Sequence, residues 1–228
     1  MKVSYFPGCT LNTTSKGFDN AVRASAAAVG LELVELAEWN CCGATFPLIV
    51  DNMLELAAPA HVLVSAQDEG TSETLTTACT TCYNVLKRTD GFMREHEEER
   101  ERIEAFIEAE FKGEVEVKDI LHVLRDDIGF ETIAERVQRP LEGLKVAAYY
   151  GCMVLRPPDE VAYDDPDNPT SLGDLMTALG ATAIDFSHKN ECCGAYLAVS
   201  APDVTREMVY TILLSLIHIS EPTRPLYI

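Results

Sequence analysis

Short apolar runs alternate with longer amphipathic segments along this chain. The runs Lys2–Phe6 and Leu31–Leu36 predict β-strands, and Phe18–Val29 between them predicts a helix with small side chains suited to close packing. A polar loop is predicted over Thr10–Ser15, after the first strand. This strand–helix–strand order is typical of an α/β protein with parallel strands.

The rest of the chain continues the same alternation. One segment, Arg94–Phe111, is dense in charge and places Ile103, Phe106 and Ile107 on one face, so we interpret it as an exposed helix lying on the core. The other predicted elements are helices over Asp51–Gln67 (with Asp51 as N-cap), Tyr83–Arg88 and Asp119–Asp127, strands over Thr74–Ala78, Glu114–Val117 and Leu144–Tyr150, and a linker over Gln138–Gly143.

The strand at Leu144–Tyr150 begins a repeat of the start of the chain. Lys2–Cys9 (KVSYFPGC) resembles Lys145–Cys152 (KVAAYYGC), and Asn40–Ala44 (NCCGA) resembles Glu191–Ala195 (ECCGA). Each half therefore runs strand, Gly-Cys, helix, strand, Cys-Cys-Gly-Ala. We predict a duplicated domain, with the first copy in residues 1–140 and the second in residues 141–214.

Composition narrows the function classes. The 228 residues include 18 basic and 37 acidic side chains, a net charge of −19, which argues against nucleic acid or anionic membrane as the main partner. The first residues lack the apolar core of a signal peptide, and no apolar run reaches the length of a membrane span. We therefore expect a cytoplasmic protein without a membrane span, whose thiols stay reduced.

Eight cysteines carry the candidate chemistry. Most follow predicted strands closely, and the carboxyl ends of parallel strands meet at one edge of a sheet, so these thiols can converge there. Zinc and a standard cubane cluster each take four ligands, whereas five thiolates suit a multi-iron cluster in which one sulfur bridges two irons. A zinc site and a redox dithiol remain open as weaker alternatives. The thiols are Cys9, Cys41, Cys42, Cys79 and Cys82 in the first half and Cys152, Cys192 and Cys193 in the second.

At these residues the sequence resembles the CCG cysteine-rich domain family, specifically the B subunits of heterodisulfide reductases. The family pattern is a Cys, a Cys-Cys-Gly and a C-x2-C at long spacings, present twice. The resemblance implies that five cysteines of each full motif bind a noncubane [4Fe-4S] cluster. It assigns the five first-half cysteines to one cluster and Cys152, Cys192 and Cys193 to part of a second.

The resemblance also implies a reaction. The disulfide of coenzyme M and coenzyme B would lie between the two clusters and be cleaved to two thiols. Electrons would arrive from the ferredoxin-like C subunit, which the flavin-containing A subunit supplies. Four cationic side chains are candidates to hold anionic substrate groups by charge and position alone, although each is more typical of a solvated surface: Lys16, Arg156, His188 and Lys189.

The chain departs from the family pattern at its end. The second C-x2-C is missing. If it followed Cys193 at the same spacing as Cys79 follows Cys42, its first cysteine would lie just past the last residue. Residues 215–228 (SLIHISEPTRPLYI) fit no helix or strand that the fold needs, with Pro222 and Pro225 breaking them. We hypothesise that this tail is not native and that the second domain is truncated near Leu214.

Two rival functions remain. One is a CCG subunit of another oxidoreductase, serving lactate, glycolate or succinate oxidation; many such relatives carry a ferredoxin-like C-x2-C-x2-C-x3-C-P segment, which this sequence lacks. The other is a zinc-binding scaffold without catalytic activity.

Overall fold

The sheet of the first half is wholly parallel. A computed structural model describes residues 1–46 and 55–220, with side chains as far as Ile217. Val3 lies opposite Leu33, and Leu75 lies opposite Val117. The strand order is β2-β1-β3-β4, with β1 at Lys2–Tyr5, β2 at Glu32–Glu35, β3 at Thr74–Thr77 and β4 at Glu116–Asp119.

Helices flank this sheet, and the main core lies between them. The side chains of Phe6, Leu63, Leu75 and Leu86 are almost fully buried there, and each contributes about 1.5–3 kcal/mol through the hydrophobic effect. The helices of this half are α1 at Gly8–Asn12, α2 at Lys16–Ala28, α3 at Ala57–Glu69, α4 at Thr80–Glu95, α5 at Glu97–Ile107, α6 at Ile120–His122 with a π-helical turn at Val123–Ile128, and α7 at Phe130–Glu135.

The second half repeats the opening of the first on a smaller scale. Its sheet is a parallel pair in which Val146 lies opposite Ala183. Its elements are β5 at Lys145–Ala147, α8 at Pro158–Val161, α9 at Ser171–Ala178, β6 at Thr182–Ile184, a 3₁₀ turn at Ala195–Leu197, and α10 at Pro202–Ser220. The predicted fold class, α/β with parallel strands flanked by helices, is confirmed. The domain boundary at residue 140 stays a prediction.

Helix α4 joins the two halves. Asn84 is almost fully buried, and its amide donates hydrogen bonds of 2.8 Å to the carbonyls of Met153 and Arg156. The buried Tyr83 hydroxyl donates to the Val161 carbonyl at 2.6 Å. Because α4 begins beside Cys79 and contains Cys82, these contacts set the second half against the first-half cysteines.

Two local predictions differ from the structure. The predicted loop Thr10–Ser15 begins inside a helix, because α1 occupies Gly8–Asn12. The predicted helix Arg94–Phe111 is interrupted at His96, whose backbone is not helical (φ −120°, ψ 87°), and its second part, α5, ends at Ile107. Ile103 is buried as expected, whereas the Phe106 side chain is 61% exposed.

The chain end also differs from the prediction. Helix α10 continues through Ser215 to Ser220, so the expectation that this stretch fits no helix is wrong there. The apolar Leu216 and Ile217 extend the helical pattern that precedes them. Residues 221–228, with both tail prolines, lie outside the described residues, as does the predicted N-cap Asp51.

Candidate metal centre

The carboxyl ends of the strands deliver the first-half thiols. Strand β1 leads through Gly8 into Cys9 on α1, and β3 leads into Cys79, immediately before α4, and Cys82 in its first turn. The loop that follows β2 carries Cys41 and Cys42. Parallel pairing brings all three strand ends to one edge of the sheet, as the sequence predicts.

The first-half thiols include two close pairs. The sulfurs of Cys9 and Cys41 lie 3.9 Å apart on the exposed side, and those of Cys42 and Cys82 lie 3.4 Å apart in the interior. Cys42 and Cys82 are 3% and 4% exposed. The first-half thiols therefore extend from the exposed surface, at Cys9 and Cys41, into the core, at Cys42 and Cys82.

Backbone conformations that favour glycine shape this half of the site. Gly8 has φ +73°, and a Cβ at this position would lie 2.9 Å from the Cys82 sulfur. In the turn after the cysteine pair, Gly43 has φ +86° and Ala44 has φ +63°. This turn lets the adjacent Cys41 and Cys42 take different environments, one exposed and one buried.

Hydrogen bonding distributes the protons unevenly among the buried thiols. Hydrogen bonds with Cys82 lower the pKa of Cys42 to about 7 and the pKa of Cys79 to about 6. Hydrogen bonds to those two thiols, together with burial, raise the pKa of Cys82 itself. Two of the three ionise near neutral pH, and thiolates are the form in which cysteine binds metal.

The second half presents a similar arrangement. Cys152 follows Gly151 (φ +66°), and burial and the neighbouring Cys192 raise its pKa to about 11. The Gly194 amide donates to the Cys192 sulfur at 3.3 Å. The Tyr149 hydroxyl donates to the Glu191 carbonyl at 2.6 Å and so braces the segment that precedes the cysteine pair.

All eight thiols line one cavity of about 400 Å³ between the two halves. Its other walls include Tyr149, Tyr150 and Tyr196, and the Tyr196 hydroxyl donates to the Ala44 carbonyl at 2.7 Å. Within residues 1–46 and 55–220, no three His, Cys, Asp or Glu side chains are grouped so as to hold a single metal ion. The thiols are distributed around the wall.

The four cationic candidates do not line this cavity. Arg156 lies 3.6 Å from Asp167, and the Lys189 ammonium lies 2.7 Å from the Asp185 carboxylate. The His188 ring contacts the neighbouring serine hydroxyl at 2.8 Å, and Lys16 lies at the start of α2.

The tyrosines of the cavity wall were not predicted from the sequence. Tyr149 lies in the strand repeat that ends in Gly-Cys, and Tyr196 directly follows the second Cys-Cys-Gly-Ala. Their adjacency to the two repeated motifs is the signal that could have found them.

The donor set fits an iron–sulfur cluster. Such clusters are held by cysteine thiolates, and all eight thiols of the chain face one cavity, with two of their pKa values lowered to neutrality or below.

A fold that carries two cysteine sets to one cavity defines a duplicated cysteine-rich α/β protein. The family model described as "CCG: Cysteine-rich domain" matches residues 3–87 and 146–216, and the chain belongs to this family. The sequence-based resemblance to that family is therefore confirmed.

Several relatives are oxidoreductase subunits by name. The 8-methylmenaquinol:fumarate reductase membrane anchor subunit of Wolinella succinogenes is 31% identical over 92% of this chain and 73% of its own length. A protein of Archaeoglobus profundus, named as like the B subunit of heterodisulfide reductase, is 31% identical over 85% of this chain and 66% of its own length. The B subunit of the ferredoxin/F420H2-dependent CoB-CoM heterodisulfide reductase of Methanosarcina acetivorans is 27% identical over 85% of this chain and 65% of its own length.

A solved structure shares the fold. The crystal structure of a hypothetical protein from Helicobacter pylori superposes with a TM-score of 0.68 at 11% identity, covering 94% of this chain and 39% of that one. The chain thus spans about two thirds to three quarters of the curated relatives and under half of this structure. Across the residues that the structure describes, no helix has the length and apolar character needed to cross a membrane.

Proposed function

We propose that this chain is an iron–sulfur subunit of a disulfide-reducing oxidoreductase of the heterodisulfide reductase type. The observation that carries the proposal is the single cavity onto which both cysteine sets open. The similarity to proteins named as B subunits of heterodisulfide reductases supports it.

The ligand assignment follows the two cysteine sets. Cys9, Cys41, Cys42, Cys79 and Cys82 would hold one noncubane [4Fe-4S] cluster, and Cys152, Cys192 and Cys193 would contribute to a second. Bound there, these clusters would supply electrons one at a time.

The protein's own residues would prepare the disulfide for cleavage. The substrate would enter between the two cysteine sets, where Tyr149 and Tyr196 line the cavity. The overall reaction is R–S–S–R′ with two electrons and two protons giving RSH and R′SH. The substrate would be the CoM-S-S-CoB disulfide or a related one.

The electron donors would be separate proteins of the same complex. As the resemblance to heterodisulfide reductases implies, the ferredoxin-like C subunit would deliver electrons to this chain and would itself receive them from the flavin-containing A subunit. Partner assembly and the domain division at residue 140 are part of the proposal.

A second candidate has an observation of its own. The relative from Wolinella succinogenes belongs by name to a fumarate reductase, and it matches the larger share of this chain, 92% against 85% for the heterodisulfide reductase relatives. This chain would then be the CCG subunit of a complex that reduces fumarate, and its cysteines would pass electrons without binding a disulfide.

An anaerobic assay of the native complex separates the two candidates. A reduced viologen dye supplies electrons, and either CoM-S-S-CoB or fumarate is added as acceptor. Disulfide-dependent dye oxidation with two thiols formed per two electrons supports the first candidate. Oxidation with fumarate and none with the disulfide overturns it in favour of the second.

A further inference from the structure

A hydrogen bond crosses the cavity between the two Cys-Cys-Gly-Ala motifs. Tyr196 follows the second motif directly, and its hydroxyl donates to the carbonyl of Ala44, the last residue of the first motif, at 2.7 Å. The two residues are 152 positions apart in the chain. Each motif is thereby fixed relative to the other at the cavity wall.

The acceptor residue has a backbone conformation that needs such support. Ala44 has φ +63°, in the left-handed region, which costs a residue with a Cβ about 1–2 kcal/mol. Strained conformations of this kind persist where the surroundings hold them. Within the described residues, the hydrogen bond from the Tyr196 hydroxyl to the Ala44 carbonyl is one such support, and it comes from the second half of the chain.

The same residue lies next to the cysteine pair. Ala44 comes two residues after Cys42, and its backbone N–H is among the groups that lower the pKa of the Cys42 thiol, while its carbonyl accepts the hydrogen bond from Tyr196. Hydrogen bonds to ligand sulfurs are among the factors that set the reduction potential of an iron–sulfur cluster. A contact that orients Ala44 therefore acts on the environment of Cys42.

We propose that Tyr196 is a positioning residue that holds the Cys41–Cys42 turn of the first half in place from the second half. It acts through Ala44 and needs no contact with a substrate. The inference on turn geometry stands without the proposed function, whereas its consequence for a bound cluster rests on the proposed role of Cys42 as ligand.

The first test uses thiol access in the iron-free chain under reducing, anaerobic conditions. Tyr196→Phe removes the hydroxyl and keeps the ring. We expect the buried Cys42 to be alkylated by iodoacetamide about fivefold faster, the factor that follows from losing one neutral hydrogen bond. The exposed Cys41 should keep its rate and serves as the internal reference, with mass spectrometry reading both sites.

Two matched variants control this test. Tyr149→Phe removes a hydroxyl from the same cavity, but its bond to the Glu191 carbonyl stays within the second half, so the Cys42 rate should not change. Tyr210→Phe alters an exposed tyrosine on α10 and should also leave the rate unchanged. An unchanged Cys42 rate in Tyr196→Phe overturns the proposal, as does an equal acceleration in Tyr149→Phe, which indicates general loosening.

The second test reads the iron-loaded protein. Tyr196→Phe should keep its iron content while the paramagnetic signal and midpoint potential of the first cluster shift, and Tyr210→Phe should match the parent. A parent protein that contains no iron would refute the proposed cofactor. Faster alkylation of Cys42 in Tyr196→Phe would then still support the positioning role. Unchanged alkylation with an unchanged signal in an iron-containing protein would refute the positioning role alone.

Discussion

Replacement of Gly8 by alanine tests how closely the backbone approaches the thiol set. Gly8 has φ +73°, which costs an alanine about 1–2 kcal/mol, and its new Cβ would lie 2.9 Å from the Cys82 sulfur. Cys82 is 4% exposed and packed in the core, so relief of this contact adds about 1–2 kcal/mol of overpacking. We therefore expect the free energy of unfolding to fall by about 2–4 kcal/mol in total.

The matched control is Gly70→Ala. Gly70 also has a left-handed backbone (φ +58°), but no atom lies within 4 Å of the position of its added Cβ. It should lose only the conformational cost of about 1–2 kcal/mol. The difference between the two variants therefore isolates the contact with Cys82.

The assay is urea unfolding of both iron-free variants, followed by iron determination after anaerobic reconstitution. Gly8→Ala should be the less stable variant and should lose iron from the first site, because relief of the contact moves the Cys82 sulfur. Gly70→Ala should bind iron like the parent. Equal destabilisation and equal iron content in the two variants would refute the steric reasoning.

Three further changes probe the interface, the buried charge and the ligand set. Asn84→Ala should destabilise the chain by about 2–3 kcal/mol in urea unfolding, since it removes two buried hydrogen bonds that join the halves; wild-type stability would contradict this. Burial raises the pKa of Asp119 from 3.8 to about 7, so the folded chain keeps a proton that the unfolded chain loses between about pH 4 and 7, and stability falls across that range as pH rises. Asp119→Asn keeps an acceptor for the Leu121 amide and should remove this pH dependence of stability, which is worth up to about 4 kcal/mol. Curves of unfolding free energy against pH that run parallel in variant and parent would refute the raised pKa of Asp119. Cys42→Ala should abolish the first cluster, measured as iron per chain, and full iron retention would contradict the five-ligand set.

Much of the fold could be predicted because local pattern and topology agree. The apolar runs of β1 and β2 enclose a helix, and parallel pairing of those strands follows from that connection. The position of most cysteines directly after predicted parallel strands predicted that distant thiols would meet, and the cavity brings all eight together. Such features depend on residues close in sequence or on a rule of sheet topology.

The remaining features depend on contacts between distant residues. The break at His96 interrupts a stretch that is helical by composition, and the bond from Tyr196 to Ala44 joins two residues that are 152 positions apart in the chain. The cationic candidates were chosen by charge, but Arg156 and Lys189 lie beside acidic side chains outside the cavity. Side-chain direction at such positions is decided by tertiary packing.

Metal analysis of the anaerobically purified chain tests the central claim most directly. The five thiols of the first half predict iron near four atoms per chain at that site, a brown colour and a paramagnetic signal, all lost in Cys42→Ala. A colourless protein that contains one zinc ion and no iron would contradict the account.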